Sequence, residues 1–106
     1  MIKAEFFVTH NGRLVGFHIS GHSGYAQSGS DIVCAFVSSA AYMAANTITD
    51  VICADARAED SDGDMLVRVQ EKDADLCKNV LEGLKLHLEN TEEQYPDYLT
   101  VTYTEV

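Results

Sequence analysis

The chain is 106 residues long with a hydrophobic fraction of 46%, which suits one compact domain over residues 1–106 and argues against a disordered chain. Its formal net charge is −10, because 17 acidic side chains outnumber 7 basic ones, and most of the acidic residues lie between Asp50 and Asp97. An acidic surface without a basic patch repels phosphate backbones, so we expect no direct binding of nucleic acid.

The first twenty residues have the pattern of a β-hairpin. Apolar side chains alternate over residues 2–8 and again over residues 13–20, as on strands with one buried face. Between these runs lies Asn11-Gly12, a dipeptide that strongly favours a hairpin turn. The N-terminus lacks the pattern of a signal peptide, and no apolar run approaches the roughly 20 residues that cross a bilayer. We therefore expect a cytoplasmic protein without a membrane segment.

A glycine- and serine-rich stretch at residues 21–30 separates this hairpin from a helix. It contains no large aliphatic side chain, which is typical of a mobile loop. Asp31 follows and can cap a helix, since its carboxylate accepts hydrogen bonds from backbone N–H groups of the first turn. Apolar side chains at helical spacing predict a helix over residues 31–48, with a face of Val33, Phe36, Val37, Ala40, Met43 and Ala44.

The second half of the chain predicts two further strands, a helix and a last strand. Alternation indicates a strand over residues 51–59, a turn at 60–63 and a return strand over 64–70. Residues 98–104 alternate again and predict a final strand. The predicted helix lies between them, and its bounds come from its cap and its apolar face.

This second helix begins at Asp73 or Asp75 and extends to about Glu92. Its apolar stripe consists of Cys77, Val80, Leu81, Leu84 and Leu88. Gly83 inside the helix costs about 1 kcal/mol relative to alanine, which predicts close packing at that position.

The resulting order, ββαββαβ, predicts an α+β fold. Strands with one apolar face need helices to cover that face. We therefore expect a single two-layer domain, with a five-stranded, mostly antiparallel sheet and both helices on one face.

Cys34 and His22 have the residue types of a nucleophile and its base. Cys34 falls in the first turn of the predicted helix, where unpaired N–H groups carry partial positive charge. These groups favour a thiolate and could stabilise the oxyanion of a tetrahedral intermediate. His22 lies at the loop entry, and its imidazole can take a proton from a thiol. Without the other residue of the pair, Cys34 would be interpreted as a small buried hydrophobic residue. His22 would then be interpreted as a solvated loop residue without a catalytic role.

Two further residues could support this pair. Asp31 precedes Cys34 by three residues and Ser38 follows it by four, so both can share its helix face. Asp31 either orients His22, as carboxylates do in catalytic triads, or only caps the helix. Ser38 either hydrogen-bonds near the thiol or faces a packing contact.

The remaining cysteines and histidines point to no cofactor. The three cysteines, with wide spacing, fit neither a disulfide framework nor a short metal motif. We therefore expect Cys53 and Cys77 to pack in the core or at its boundary. A zinc site of His18, His22 and Cys34 is conceivable, but its spacing matches no zinc pattern. The sequence thus predicts neither a metal nor another cofactor.

The segment Gly21-His22, followed by Gly29-x-Asp31-Ile32-Val33-Cys34-Ala35 and by Ser38 one turn later, resembles the signature of the ribosomal-processing cysteine protease family, called Prp. The resemblance extends over the whole chain. It implies a bacterial cytosolic peptidase, usually a homodimer, with Cys34 as nucleophile and His22 as base. It also implies that the loop at 21–30, with Gly21, Ser23, Gly24 and Gly29, orders around the substrate. Ser23 stands where many members carry alanine.

Such enzymes remove a short N-terminal extension from a large-subunit ribosomal protein and cleave after an aromatic pair. The resemblance therefore predicts a ribosome-biogenesis endopeptidase whose substrate is the N-terminal segment of that protein. A non-catalytic ribosome-associated binding module would use the same acidic surface and loop without a reactive thiol. A small metal-binding protein using His22 and Cys34 is a third hypothesis.

Overall fold

The computed structural model describes residues 1–22, 24 and 31–106. Five strands and two α-helices follow one another in the predicted order ββαββαβ. The strands and α-helices are β1 (Ile2–Val8), β2 (Leu14–Ser20), α1 (Ile32–Asn46), β3 (Ala56–Ser61), β4 (Asp64–Val69), α2 (Lys78–Gln94) and β5 (Leu99–Glu105). A π-helical turn, Thr47–Val51, continues α1, and a 3₁₀ segment, Glu71–Cys77, precedes α2.

The five strands form one mixed sheet in the order β3-β4-β2-β1-β5. Every neighbouring pair is antiparallel except β1 and β5, which run parallel. One row of paired residues crosses the whole sheet and consists of Ala58, Val67, Phe17, Phe6 and Tyr103. The predicted α+β class, with a mostly antiparallel sheet, is confirmed.

Both helices contribute to one core on one face of this sheet. Ile2, Ala4 and Phe6 of β1 are buried, whereas Lys3 is exposed and Glu5 is half-buried. The helix residues in the core are Val33, Val37, Ala41 and Ala44 of α1, and Leu81, Leu84 and Leu88 of α2. Burial of each valine or leucine side chain contributes about 1.5–3 kcal/mol through the hydrophobic effect, and burial of each alanine methyl group contributes less.

Two sequence predictions need correction, one about the core face of α1 and one about the start of β3. Phe36 and Met43 were expected on the core face, but 46% and 59% of their surfaces are exposed, because they lie at the groove between α1 and α2. The predicted strand over 51–59 begins only at Ala56. The alternating pattern at Ile52 and Ala54 was misread as a strand, since the chain up to Val51 continues the helix as a π turn.

The helical stretch Ile32–Val51 is long and apolar enough to cross a membrane, with a mean hydropathy of 1.4. From the sequence we expected no apolar stretch of this length. Its buried residues, Val33, Val37, Ala41, Ala44 and Ile48, all belong to the core cluster. The core helix of a soluble protein meets the same length and hydropathy criteria.

Candidate active site

Cys34 lies in the first turn of α1, directly after the buried Val33. Its side chain is partly buried and packs against the edge of the core. Asp31 caps the helix here, since one of its carboxylate oxygens accepts hydrogen bonds from the N–H groups of Val33 and Cys34, each at 3.1 Å. The extended backbone of Asp31 (φ −81°, ψ 100°) allows this geometry.

The cap uses the backbone N–H groups that the helix N-terminus could otherwise donate to a substrate. The carbonyl of Asp31 also accepts a hydrogen bond from the N–H of Ala35, at 3.1 Å. Asp31 therefore engages three successive N–H groups, those of Val33, Cys34 and Ala35. These N–H groups were predicted to hold an oxyanion, but in this conformation Asp31 is already their hydrogen-bond acceptor.

His22 follows the last residues of β2 and is exposed to solvent. The preceding residue, Gly21, donates its N–H to the carbonyl of Gly63 at 2.9 Å. Gly63 lies in the turn between β3 and β4, so this bond extends the β2–β4 ladder by one step, beyond the pairing of Ser20 with Asp64. The position of His22 therefore depends on the β3–β4 turn, which is distant from it in the sequence.

One cavity brings His22 and Cys34 together. Its volume is about 410 Å³, and it lies between α1, the ends of β1 and β2, and the β3–β4 hairpin. The residues that line it are Ile2, Ile19, Gly21, His22, Cys34, Val37, Ser38, Ala41, Tyr42, Asp60, Ser61, Asp62, Gly63, Asp64 and Met65. A thiol and an imidazole thus share a cleft large enough for substrate side chains.

A stripe of α1 forms one wall of this cleft. Cys34, Ser38 and Tyr42 follow one another at intervals of four residues, so they share one helix face. Tyr42 donates its hydroxyl hydrogen to a carboxylate oxygen of Asp60 at 2.6 Å. This bond, with the nearby negative charge, raises the pKa of Tyr42. The pair connects α1 to the hairpin across the cleft.

The opposite wall was missed by sequence reasoning. Asp60, Asp62 and Asp64 of the hairpin line the cleft, but from the sequence they were predicted only as part of a turn and the start of the strand that follows it. The spacing of Tyr42 from Cys34 could have pointed to Tyr42. No local signal places the hairpin, because its position follows from the order of strands in the sheet.

His18 lies outside this cleft. It extends from β2 beside Glu5, and its Nε2 lies 3.0 Å from a carboxylate oxygen of Asp64. Its Nδ1 lies 3.9 Å from a carboxylate oxygen of Glu5. Within residues 1–22, 24 and 31–106, no three His, Cys, Asp or Glu side chains are grouped to hold a metal ion. The zinc site of His18, His22 and Cys34 therefore finds no support there.

The remaining cysteines differ in burial. Cys77 is fully buried in the core, and burial raises the pKa of its thiol, with a smaller effect from Asp73. Cys53 is exposed, and its thiol donates to the carbonyl of Asp50 at 3.6 Å. It was expected in the core or at its boundary, but it adopts a positive φ of 57° just after the π turn.

Part of the predicted substrate loop lies outside the described residues, namely Ser23 and residues 25–30, which include Gly29. Gly24 is exposed, with a φ of 73°. Gly21, predicted to belong to the mobile loop, is instead hydrogen-bonded to the sheet through Gly63.

The chain is similar along nearly its whole length to known cysteine proteases. The family model described as Cysteine protease Prp matches residues 1–100. The ribosomal processing cysteine protease Prp of Staphylococcus aureus, from strains Mu50 and NCTC 8325, is 25% identical over 105 residues. That match covers 97% of this chain and 99% of the relative.

Solved structures show the same fold. The essential ribosomal processing protease Prp from S. aureus, in complex with a covalently linked product peptide, matches with a TM-score of 0.90 at 24% identity. That match covers 98% of this chain and 100% of the other. The structure of SMU.848 from Streptococcus mutans matches with a TM-score of 0.77 at 24% identity, covering 100% of this chain and 96% of the other.

The family match covers the elements that build the cleft, from β1 to the start of β5. It also decides between the classes of function that the sequence left open, because its members are cysteine proteases rather than non-catalytic binding modules. This chain belongs to the Prp family of cysteine proteases.

Proposed function

We propose that this protease removes a short N-terminal extension from a large-subunit ribosomal protein, with Cys34 as nucleophile and His22 as general base. The observation that carries the assignment of these roles is that both side chains line one cavity of about 410 Å³. The substrate class is supported by the S. aureus relative, which is a ribosomal processing protease. A ribosomal substrate implies a cytoplasmic enzyme.

The chemistry needs one proton carrier and one thiolate. His22 takes the proton from the sulfur of Cys34, and the thiolate attacks the carbonyl carbon of the scissile bond. The protonated imidazole then gives its proton to the leaving amine as the C–N bond breaks. Water, deprotonated by His22, hydrolyses the thioester, releases the extension as a carboxylate and restores the thiol.

The oxyanion of the tetrahedral intermediate needs hydrogen-bond donors, and the N–H groups in the first turn of α1 already have Asp31 as their acceptor. We propose that the N–H of Cys34 exchanges its 3.1 Å bond to Asp31 for a bond to the oxyanion as substrate binds. Loss of one oxyanion donor costs roughly 10²–10³ in kcat in other acyl-transfer enzymes.

The cleft suits an extended, flexible segment. Its walls are a helix face and a β-hairpin, and its floor includes apolar residues such as Ile19 and Met65. We propose that cleavage follows an aromatic pair, as the resemblance to the Prp family implies. The apolar side chains in the lining are compatible with an aromatic residue before the scissile bond.

We propose further that the protein is a homodimer, joined at the groove between α1 and α2. The groove residues are Ala35, Phe36, Ser39, Ala40, Met43, Asn79, Val80, Gly83, Leu84 and His87, and none carries a negative charge. Two copies of a chain with a net charge of −10 repel each other less where they meet through uncharged, apolar surface. Sedimentation velocity should give twice the mass of one chain, and a monomer at micromolar concentration would contradict the proposal.

The test uses peptides that carry candidate N-terminal extensions with an aromatic pair. Incubation with the parent protein should give two products that mass spectrometry locates at the bond after that pair. Cys34→Ala should abolish cleavage while the circular dichroism spectrum is retained. Cys53→Ala is the matched control, because it removes an exposed thiol outside the cleft. Cleavage by Cys34→Ala would refute the role of Cys34.

A further inference from the structure

The β3–β4 turn lies directly beside His22. Gly63 accepts a hydrogen bond from the N–H of Gly21 at 2.9 Å, one residue before the imidazole. Asp62 and Gly63 form the two-residue turn between the paired residues Ser61 and Asp64. The turn therefore contacts the backbone at the point where His22 leaves the sheet.

The absence of a side chain at Gly63 makes room for the imidazole. A Cβ atom built on Gly63 would lie 2.9 Å from Nε2, 3.4 Å from Cε1 and 3.6 Å from Cδ2 of His22. A separation of 2.9 Å is shorter than van der Waals contact between a carbon and a nitrogen atom allows. A Cβ atom at residue 63 would therefore displace the imidazole ring from its present position.

The backbone before His22 is held from a second side. A Cβ atom on Gly21 would lie 2.5 Å from the carbonyl oxygen of Met1, which is itself backbone. Gly21 has a φ of 88°, a conformation that favours glycine. Met1 on one side and Gly63 on the other thus fix the direction in which the chain enters residue 22.

We propose that Gly63 is a positioning residue for catalysis: its lack of a side chain leaves room for the imidazole of His22, and its carbonyl anchors the backbone of Gly21, so that the ring stays in the cleft that contains Cys34. This inference rests on the proposed function, in which His22 is the base. An exposed histidine otherwise samples several rotamers. A displacement of about 1 Å in a reacting group can cost on the order of 10²-fold in rate.

A purely structural role for Gly63 is the alternative. Gly63 has a φ of 72°, so any L-residue there strains the turn by roughly 1–3 kcal/mol, whatever it does to His22. Gly12 provides a matched control, since it has a φ of 86° in the β1–β2 turn and a Cβ there would meet no atom within 4 Å. The two substitutions share the strain and differ in the contact with the ring.

The experiment compares Gly63→Ala with Gly12→Ala by three measurements. These are urea unfolding, kcat and KM for an extension peptide across pH, and the NMR titration of the His22 Cε1 proton, assigned with His22→Gln. We expect similar losses of stability. We expect kcat to fall at least about tenfold, and the His22 Cε1 proton resonance to move, in Gly63→Ala alone.

Equal kcat and an unchanged His22 resonance in the two variants would overturn the inference, as would an equal fall in kcat in both. Gly63→Asn, paired with Gly12→Asn, is the second comparison, because asparagine tolerates the left-handed region better than alanine and still adds a Cβ. The NMR measurement decides the position of the ring without any cleavage. Cleavage by Cys34→Ala would refute the proposed function separately.

Discussion

Asp31 accepts hydrogen bonds from two N–H groups with its carboxylate and from a third with its carbonyl. An aspartate in this position stabilises the helix start and places a negative charge in the turn that holds Cys34. The same residue type could orient an imidazole. Substitutions can separate these two roles, because asparagine keeps the cap but not the charge.

Replacing Asp31 with alanine should lower the free energy of unfolding by about 1 kcal/mol, since both side-chain hydrogen bonds are lost. Asp31→Asn should retain nearly all of the parental stability. Chemical denaturation measures both values. If Asp31 only caps α1, Asp31→Asn also keeps the parental kcat; a fall in kcat at unchanged stability would assign the carboxylate a role in orienting His22.

The burial of Cys77 makes the free energy of unfolding depend on pH, and it determines the sign of that dependence. Burial raises the pKa of this thiol above 9.0, so the folded protein holds the proton more tightly than the unfolded chain does. Its contribution to stability is complete below the unfolded pKa and is lost as pH rises through the folded pKa.

We therefore expect Cys77 to resist iodoacetamide in the folded protein at pH 8 and to react fully in denaturant. Exposed Cys53 should react in both states. Mass spectrometry of tryptic peptides distinguishes these sites. Substitution of Cys77 by alanine should also flatten the fall in stability as pH rises above the ordinary thiol pKa of about 8.5, and an unchanged profile would contradict this assignment.

At the scale of elements, Gly83 shows how loosely α2 packs at the groove that it forms with α1. Gly83 was expected to mark close packing inside α2, but a Cβ there would meet no atom within 4 Å. Gly83 instead lies at the open groove between α1 and α2. The glycine therefore costs helix stability without a packing contact within this chain that requires it.

Gly83→Ala should raise the free energy of unfolding by about 1 kcal/mol, because alanine favours the helix and fits without a clash. Gly21→Ala is the opposite case, since its Cβ would lie 2.5 Å from a backbone oxygen, and it should destabilise the fold. Urea midpoints compare the two variants. Because Gly83 lines the groove proposed as the dimer interface, the comparison is made on the monomer, at a concentration low enough to separate the proposed dimer. A destabilised Gly83→Ala monomer would contradict the expectation.

The elements were predictable where the pattern is local. Alternation in β1 and helical spacing in α2 reflect burial of one face, which the sequence records directly. The π turn at Thr47–Val51 is not recorded in this way, because Ile52 and Ala54 alternate as strand residues do. The parallel pairing of β1 with β5 joins segments from the two ends of the chain. No local sequence pattern predicts such a pairing.

The candidate site was predictable only in part for the same reason. His22 and Cys34 are separated by twelve positions, so their types and spacing could be read together from the sequence. Gly63 and the aspartates of the β3–β4 hairpin reach the cleft only after β4 pairs with β2 and the hairpin meets α1. Their side of the site is a product of tertiary structure.

At the scale of the whole molecule, charge is the dominant surface property. With a formal net charge of −10, the protein attracts positively charged polypeptides over distances near the Debye length, about 10 Å at 0.1 M salt. Ribosomal proteins are generally basic, so encounter with the proposed substrate should be electrostatically accelerated.

Raising salt from 50 to 500 mM should therefore lower kcat/KM for a full-length basic substrate by about tenfold. Cleavage of a short neutral peptide with the same scissile sequence should change little, since it carries no charge for the field to act on. Steady-state kinetics on both substrates measure the difference. Equal salt effects would remove electrostatic steering from the account.

Because β1 and β5 run parallel, residues attached at the two ends of the chain would emerge on different sides of the protein. Met1 contacts Gly21, and Ile2 lines the cleft, whereas Val106 donates its N–H to the carbonyl of Val8 at the far end of β1. A purification tag fused before Met1 would project beside the cleft and compete with incoming peptides. A tag after Val106 would leave that entrance open, so kinetic work should use C-terminal fusions.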